Sequence, residues 1–145
     1  MTSIIDKASL FNGTTFSPTL QEAIYADILD TRCFFPDIFP YRYMYPGHAA
    51  VLLQGTVQIM IDNDECSLPL SMAIPPNYPF APPITQIAVQ PGFPLITSEC
   101  LQPNGLVLTQ FFYNWVPKVS TLAKFINEIV KHFSIKPPFT LKDAK

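Results

Sequence analysis

Three thiols and two imidazoles are the side chains best suited to covalent or metal chemistry in this chain: Cys33, Cys66 and Cys100, with His48 and His132. A thiol becomes a working nucleophile when a nearby histidine, cation or helix N-terminus lowers its pKa. No histidine lies near Cys100 in sequence, and none of the cysteines forms a Cys-x-x-Cys pair. Zinc-ligand spacing is therefore absent. An odd cysteine count without such pairs reads as free thiols in a reducing compartment. The acidic run Asp62-Asn63-Asp64-Glu65 has the residue types of a calcium loop. It lacks the glycine and the correctly spaced bidentate glutamate, so it reads as a polar turn. No metal or cofactor is expected.

The elements that would carry these residues fit one domain spanning residues 1–145, with a core at about 17–139. The chain is 48% hydrophobic and 14% charged, with a net charge of −2. That composition supports a packed core and argues against disorder. It offers no electrostatic grip on nucleic acid. The N-terminal residues show no signal-peptide pattern, and no apolar run is long enough to span a bilayer. The expectation is a cytoplasmic protein.

Ser17-Pro18 predicts a helix start, with Leu20, Ile24, Ile28 and Leu29 at helical spacing up to about Arg32. Residues 34–46 are rich in aromatics and proline, which forbids a regular helix. Those aromatics are expected to pack over the core or, if exposed, to form a contact surface. Strand-like runs follow at Ala49–Leu53, Thr56–Ile61 and Cys66–Ile74, with a hairpin at Asp62–Glu65. A proline-rich loop leads to a fourth strand at Ile84–Val89. Residues 90–105 read as a long irregular connection. A last helix is expected from near Pro117. Its stripe of Leu122, Phe125, Ile126, Ile129, Val130 and Phe133 faces the sheet, and it stops before Pro137-Pro138. The class is α+β: an N-terminal helix, a four-stranded antiparallel meander, a long loop and a C-terminal helix on the sheet. Trp115 is expected beneath Asn104–Thr109.

In that order of elements, Tyr78-Pro79-Phe80-Ala81-Pro82-Pro83, then Asn104-Gly105, then Trp115-Val116-Pro117 resemble the ubiquitin-conjugating-enzyme superfamily. The resemblance implies the conjugating-enzyme fold and, in active members, a cysteine three residues after the glycine. That position is Leu108, and no cysteine follows Cys100. The His-Pro-Asn motif that supplies an oxyanion donor would fall at Cys100-Leu101-Gln102 or at Gln102-Pro103-Asn104, and neither register holds a histidine. No enzymatic activity is expected.

Gly55-Thr56, Leu68-Pro69 and the ending Lys136-Pro137-Pro138-Phe139 resemble one branch. It is the ubiquitin-conjugating-enzyme variant (UEV) domain of the tumour-susceptibility/Vps-type subunit of ESCRT-I. This resemblance implies a cytoplasmic adaptor, peripheral on endosomes, without direct membrane insertion. Its partners would be proline-rich peptides of Pro-Thr/Ser-Ala-Pro type, ubiquitin and other ESCRT-I subunits. The peptide groove carries over to Thr56, Ile61, Cys66, Ser67, Phe93, Phe139 and Thr140. Two family tyrosines fall on Ile61 and Cys66, so weakened peptide binding is expected. Tyrosine at both positions would restore it if both rings have room. The family's ubiquitin-contacting tryptophan and phenylalanine fall on Ala73 and Gln86, which leaves ubiquitin contact to the aromatics of 34–45. The alternative is a second UEV type, an inactive partner subunit that steers chain linkage by an active conjugating enzyme.

Overall fold

Serine, proline and threonine set the helix starts. The structure is a computed structural model and describes residues 6–88, 94–117 and 119–139. Helix α1 spans Lys7–Phe11 and α2 spans Pro18–Phe34, with Ser17 accepting a hydrogen bond from the Leu20 amide. Strands β1 (Ile38–Tyr45), β2 (His48–Ile61), β3 (Asp64–Ile74) and β4 (Ile84–Ile87) follow, then α3 (Gln110–Tyr113) and α4 (Leu122–Ile135). The four strands form one antiparallel meander in the order β1-β2-β3-β4.

Several elements differ from the sequence reading: β3 begins at Asp64, and the short helices α1 and α3 have no counterpart in it. The aromatic segment, for which the sequence reading excludes only a helix, contains β1. Its prolines exclude a helix, yet Pro40 is compatible with an edge strand, where a missing N–H breaks no ladder bond. The two runs expected at Ala49–Leu53 and Thr56–Ile61 are one continuous strand, β2. Gly55 does not interrupt it. It sits where any Cβ would collide with the Asp37 carbonyl, so it lets β2 pass the α2–β1 corner. Helix α4 begins at Leu122 and not near Pro117, because Thr121 is its cap and accepts from the Lys124 amide at 3.2 Å. Val89, the expected end of the fourth strand, lies outside the described residues.

The β2–β3 turn is tight. Asp62 and Asn63 both adopt positive φ, a conformation that short polar side chains tolerate.

The core lies between the sheet and the helices. Val51, Leu53, Val57 and Ile59 of β2 and Leu68, Leu70 and Met72 of β3 pack with Ile24 and Ile28 of α2. Phe125, Ile129 and Phe133 of α4 are buried in the same cluster, as the helical stripe requires. Arg32 fastens the α2–β1 corner. Its Nε donates to the Ile38 carbonyl at 2.8 Å, and its guanidinium lies 4.4 Å from the Phe39 ring centroid.

Candidate functional site

The Tyr-Pro-Phe-x-Pro-Pro loop is a joint between three elements. The Tyr78 hydroxyl donates to Asp27 Oδ2 of α2 at 2.6 Å. The same oxygen accepts the Leu122 amide at the start of α4 at 3.4 Å. Trp115 Nε1 donates to the Pro79 carbonyl at 2.7 Å, and its ring packs against Tyr78, Phe111 and Phe125. Trp115 therefore serves this loop, not the Asn104–Thr109 segment beneath which it was expected. Burial holds the Asp27 carboxyl above its ordinary pKa, although Tyr78 and the Leu122 amide act the other way. Burial, with the adjacent Asp27 charge, pushes the Tyr78 phenol well above its usual range.

The segment expected to correspond to a conjugating enzyme's active site is fastened to β4. Asn104 Oδ1 accepts the Leu106 amide at 3.0 Å, and the Ile87 amide donates to the Gly105 carbonyl at 2.8 Å. Gly105 has φ +89°, and a Cβ there would strike the Ile87 carbonyl. This close approach explains the Asn-Gly pair physically. Leu108 is half-buried, and its amide donates to the Cys100 carbonyl at 2.8 Å. Cys100 thus shares a backbone pairing with Leu108. Among the described residues, no group of three or more His, Cys, Asp or Glu side chains could hold a metal ion.

The residues expected to line a peptide groove fall on both sides of the sheet. Ile61 and Cys66 belong to the helix-side surface of the β2–β3 hairpin, and Phe139 packs into the same core. Ile61 is only 2% exposed and Phe139 only 3%. Ile61 is therefore packing and presents no open contact face, whereas Cys66 is half-exposed. Thr56 and Ser67 lie on the opposite face, where Ser67 Oγ accepts from Gln58 Nε2 at 3.0 Å. Phe93 and Thr140 lie outside the described residues. The tail is nonetheless held in place: the Ile96 amide donates to the Pro138 carbonyl at 2.6 Å. The Met60 amide donates to Ser134 Oγ at 3.1 Å, which ties the end of β2 to α4. Two hollows of about 510 and 350 Å³ run along the α2–α4 seam. None of the expected groove residues lines either.

The outer face of the sheet is a surface that sequence reasoning only half located. Register places Tyr41, Leu52, Ala73 and Ile84 in one row across all four strands. The neighbouring row is Phe39, Gln54, Ser71 and Gln86. Tyr43 and Tyr45 extend the aromatic edge, with ring centroids 4.8 Å apart, and His48 stacks on Tyr45. Tyr41, Tyr43, Tyr45 and Ile84 are exposed, whereas Leu52 in the same row is buried. Ala50 and Ala73 are the small residues of this face, exposed amides stand at Gln54 and Gln86, and the tyrosines form an aromatic margin. The period-two recurrence of Tyr41, Tyr43 and Tyr45 is the signal that could have found this edge.

A family model described as "UEV domain" matches residues 16–141 of the chain. Among solved structures, the yeast Vps23 UEV domain in complex with a Vps27 PSDP peptide superposes with a TM-score of 0.60. Identity is 21%, covering 74% of this chain and 76% of that one. A complex of the Vps23 UEV with ubiquitin gives a TM-score of 0.60 at 21% identity, covering 81% of this chain and 84% of that one. At that identity the likeness establishes the fold. No curated protein matches in sequence.

Proposed function

This chain belongs to the UEV domain family, whose members are generally catalytically inactive, and on that premise we propose that it is a non-covalent binding module of ESCRT-I endosomal sorting. Its ligands are ubiquitin and short proline-rich motifs. The observation that carries this reading is the outer face of the sheet with its exposed Tyr41, Tyr43, Tyr45 and Ile84. Exposed aromatic side chains beside amides and small residues suit a globular partner with a small apolar patch. The solved Vps23 UEV binds ubiquitin, and this face offers aromatic anchors of its own. The anchors have moved from Ala73 and Gln86, where the resembling branch carries large rings, to the edge strand.

The peptide-binding reading rests on the tail. Pro138 is held to Ile96, and α4 is held to β2 through Ser134. The proposed groove residues are Cys66 and Phe139, with Phe93, Thr56, Ser67 and Thr140 as further candidates. The related yeast domain takes a PSDP peptide. Cys66 offers a thiol where a tyrosine hydroxyl would bond a peptide carbonyl. A missing partner of that kind costs about 1–3 kcal/mol, roughly 5- to 150-fold in affinity. Binding of such a peptide is therefore weak, and Cys66→Tyr alone strengthens it. The unit is one domain, residues 1–145 with a core at about 17–139, acting in the cytoplasm at the endosome surface. No described helix is long and apolar enough to cross a membrane.

Leu108 at the nucleophile position removes conjugating chemistry. Incubation with activating enzyme, ATP and ubiquitin tests this: no reducible adduct is expected. A thioester lost in Cys100→Ser overturns the non-enzymatic reading. Co-purification distinguishes this role from that of a partner subunit for an active conjugating enzyme. ESCRT-I subunits are expected to come down, and recovery of a conjugating enzyme alone contradicts the assignment.

A further inference from the structure

The outward edge of β1 carries unspent hydrogen-bonding capacity, and its orientation follows from three bonds. The Ala49 amide of β2 donates to Gly13, away from β1. The Met60 amide, of the other parity, points to the β1 side and reaches Ser134. The Pro69 carbonyl faces β4 and accepts from Ala88. Odd-numbered β2 residues therefore bond to β3 and even-numbered ones to β1. Given the register Tyr41↔Leu52 and Tyr43↔Ala50, Phe39, Tyr41, Tyr43 and Tyr45 bond to β2. Ile38, Pro40, Arg42 and Met44 direct their backbone groups outward. Ile38 is already satisfied: its amide donates to Phe35 and its carbonyl accepts from Arg32. Pro40 has no N–H. What remains is the backbone of Arg42 and Met44, for which no described residue supplies a partner.

Edge strands of soluble proteins are usually blunted by charged residues, proline, a bulge or a covering element. On β1 such protection is confined to Pro40 and Arg42: among the described residues, no lysine or bulge lies on it. Its one charged residue, Arg42, sends Nε back to the Asn12 carbonyl at 2.6 Å. Tyr43 is 52% exposed and Met44 57%.

We propose that the free edge of β1 pairs with the same edge of a second copy of this chain, antiparallel and centred on Tyr43, to form a symmetric dimer with a continuous sheet. The register is set by chemistry. Centring on Arg42 would place two guanidinium stems directly opposite each other, which is unfavourable. Centring on Tyr43 places Arg42 opposite Met44 of the other copy. Two amides and two carbonyls per copy then make four bonds. Pro40 falls opposite Pro46 of the other copy, so no N–H is trapped without an acceptor there. On the outer face Tyr43 meets its own copy, and Tyr41 meets Tyr45. The two aromatic edges merge into one strip, and both outer faces point the same way. A partner chain carrying two ubiquitins or two motifs could then engage both copies at once.

Sedimentation equilibrium on the unaltered chain, from about 10 µM to about 1 mM, tests this. The expected result is a rise from monomer to dimer mass, with concentration-dependent slowing of amide exchange at Arg42 and Met44. Tyr43→Lys, at a half-exposed position, places two like charges across the symmetry axis. It is expected to raise the midpoint concentration about tenfold or more. Met44→Pro removes an edge donor and is expected to do the same. A monomer throughout the range overturns the proposal. So does a dimer that Tyr43→Lys leaves unchanged, or one whose Arg42 and Met44 amides exchange at the monomer rate.

Discussion

The two faces of the sheet are written in alternate residues of the same strands, and they carry opposite chemistry. Along β2, Val51, Leu53, Val57, Ile59 and Ile61 turn to the helices and are buried. The residues between them, Leu52, Gln54, Thr56, Gln58 and Met60, form the outer face. There, Gln54 and Gln58 bond Ser71 and Ser67 across to β3. One face is a close-packed apolar layer, and the other is polar in the middle with an aromatic margin. A residue's parity therefore decides whether its loss is felt as stability or as binding.

The largest expected effect lies on the inner face. Phe125→Ala removes a fully buried ring that contacts Phe111 and Trp115. It should cost about 3–5 kcal/mol in urea unfolding. Tyr78→Phe keeps the ring and deletes the hydroxyl bonded to Asp27. A loss of about 1–3 kcal/mol is expected by the same measurement, because the Asp27 carboxyl loses a donor in a half-buried site.

A smaller effect is visible only against pH. The folded-state pKa of Asp27 lies above its ordinary value of 3.8, so the folded state holds that proton more tightly than the unfolded state. Its contribution to stability is greatest below 3.8 and falls as pH rises through the folded pKa, then stays level. Asp27→Asn should abolish this slope. The check is the stability difference between the two proteins across an acidic pH series. A difference independent of pH would show that Asp27 titrates normally.

The smallest stability effect belongs to the outer face. Tyr41 is 48% exposed, and Tyr41→Ala should change unfolding by no more than about 0.5 kcal/mol. The same substitution should weaken ubiquitin binding about tenfold or more, as removal of an aromatic anchor does. A variant that loses stability and keeps binding would reverse the assignment of the two faces.

Much of this division was legible in the sequence. The α4 stripe predicts its buried face correctly, and Ser17-Pro18 marks the start of α2, because capping and amphipathic periodicity act locally. The strand β1 was not legible from proline content, because what permits Pro40 is its place at a sheet edge, a tertiary property. Gly55 likewise looked like a break between strands, and its reason is the Asp37 carbonyl beside it. The partner of Trp115 depends on Pro79, far away in sequence, and no local signal encodes it. Carrying groove residues over one by one named positions without their facing. Thr56 and Ser67 lie on one side of the sheet, and Ile61 and Phe139 on the other.

The central claim is that the chain binds ubiquitin without covalent chemistry, through the outer face. The most direct test is titration of isotope-labelled chain with unlabelled ubiquitin, followed by amide chemical shifts. Saturable shifts at Tyr41, Tyr43, Leu52, Ala73 and Ile84, with the α4 amides unmoved, are the predicted result. Shifts confined to the Cys100–Leu108 segment, or none at millimolar ubiquitin, would contradict it.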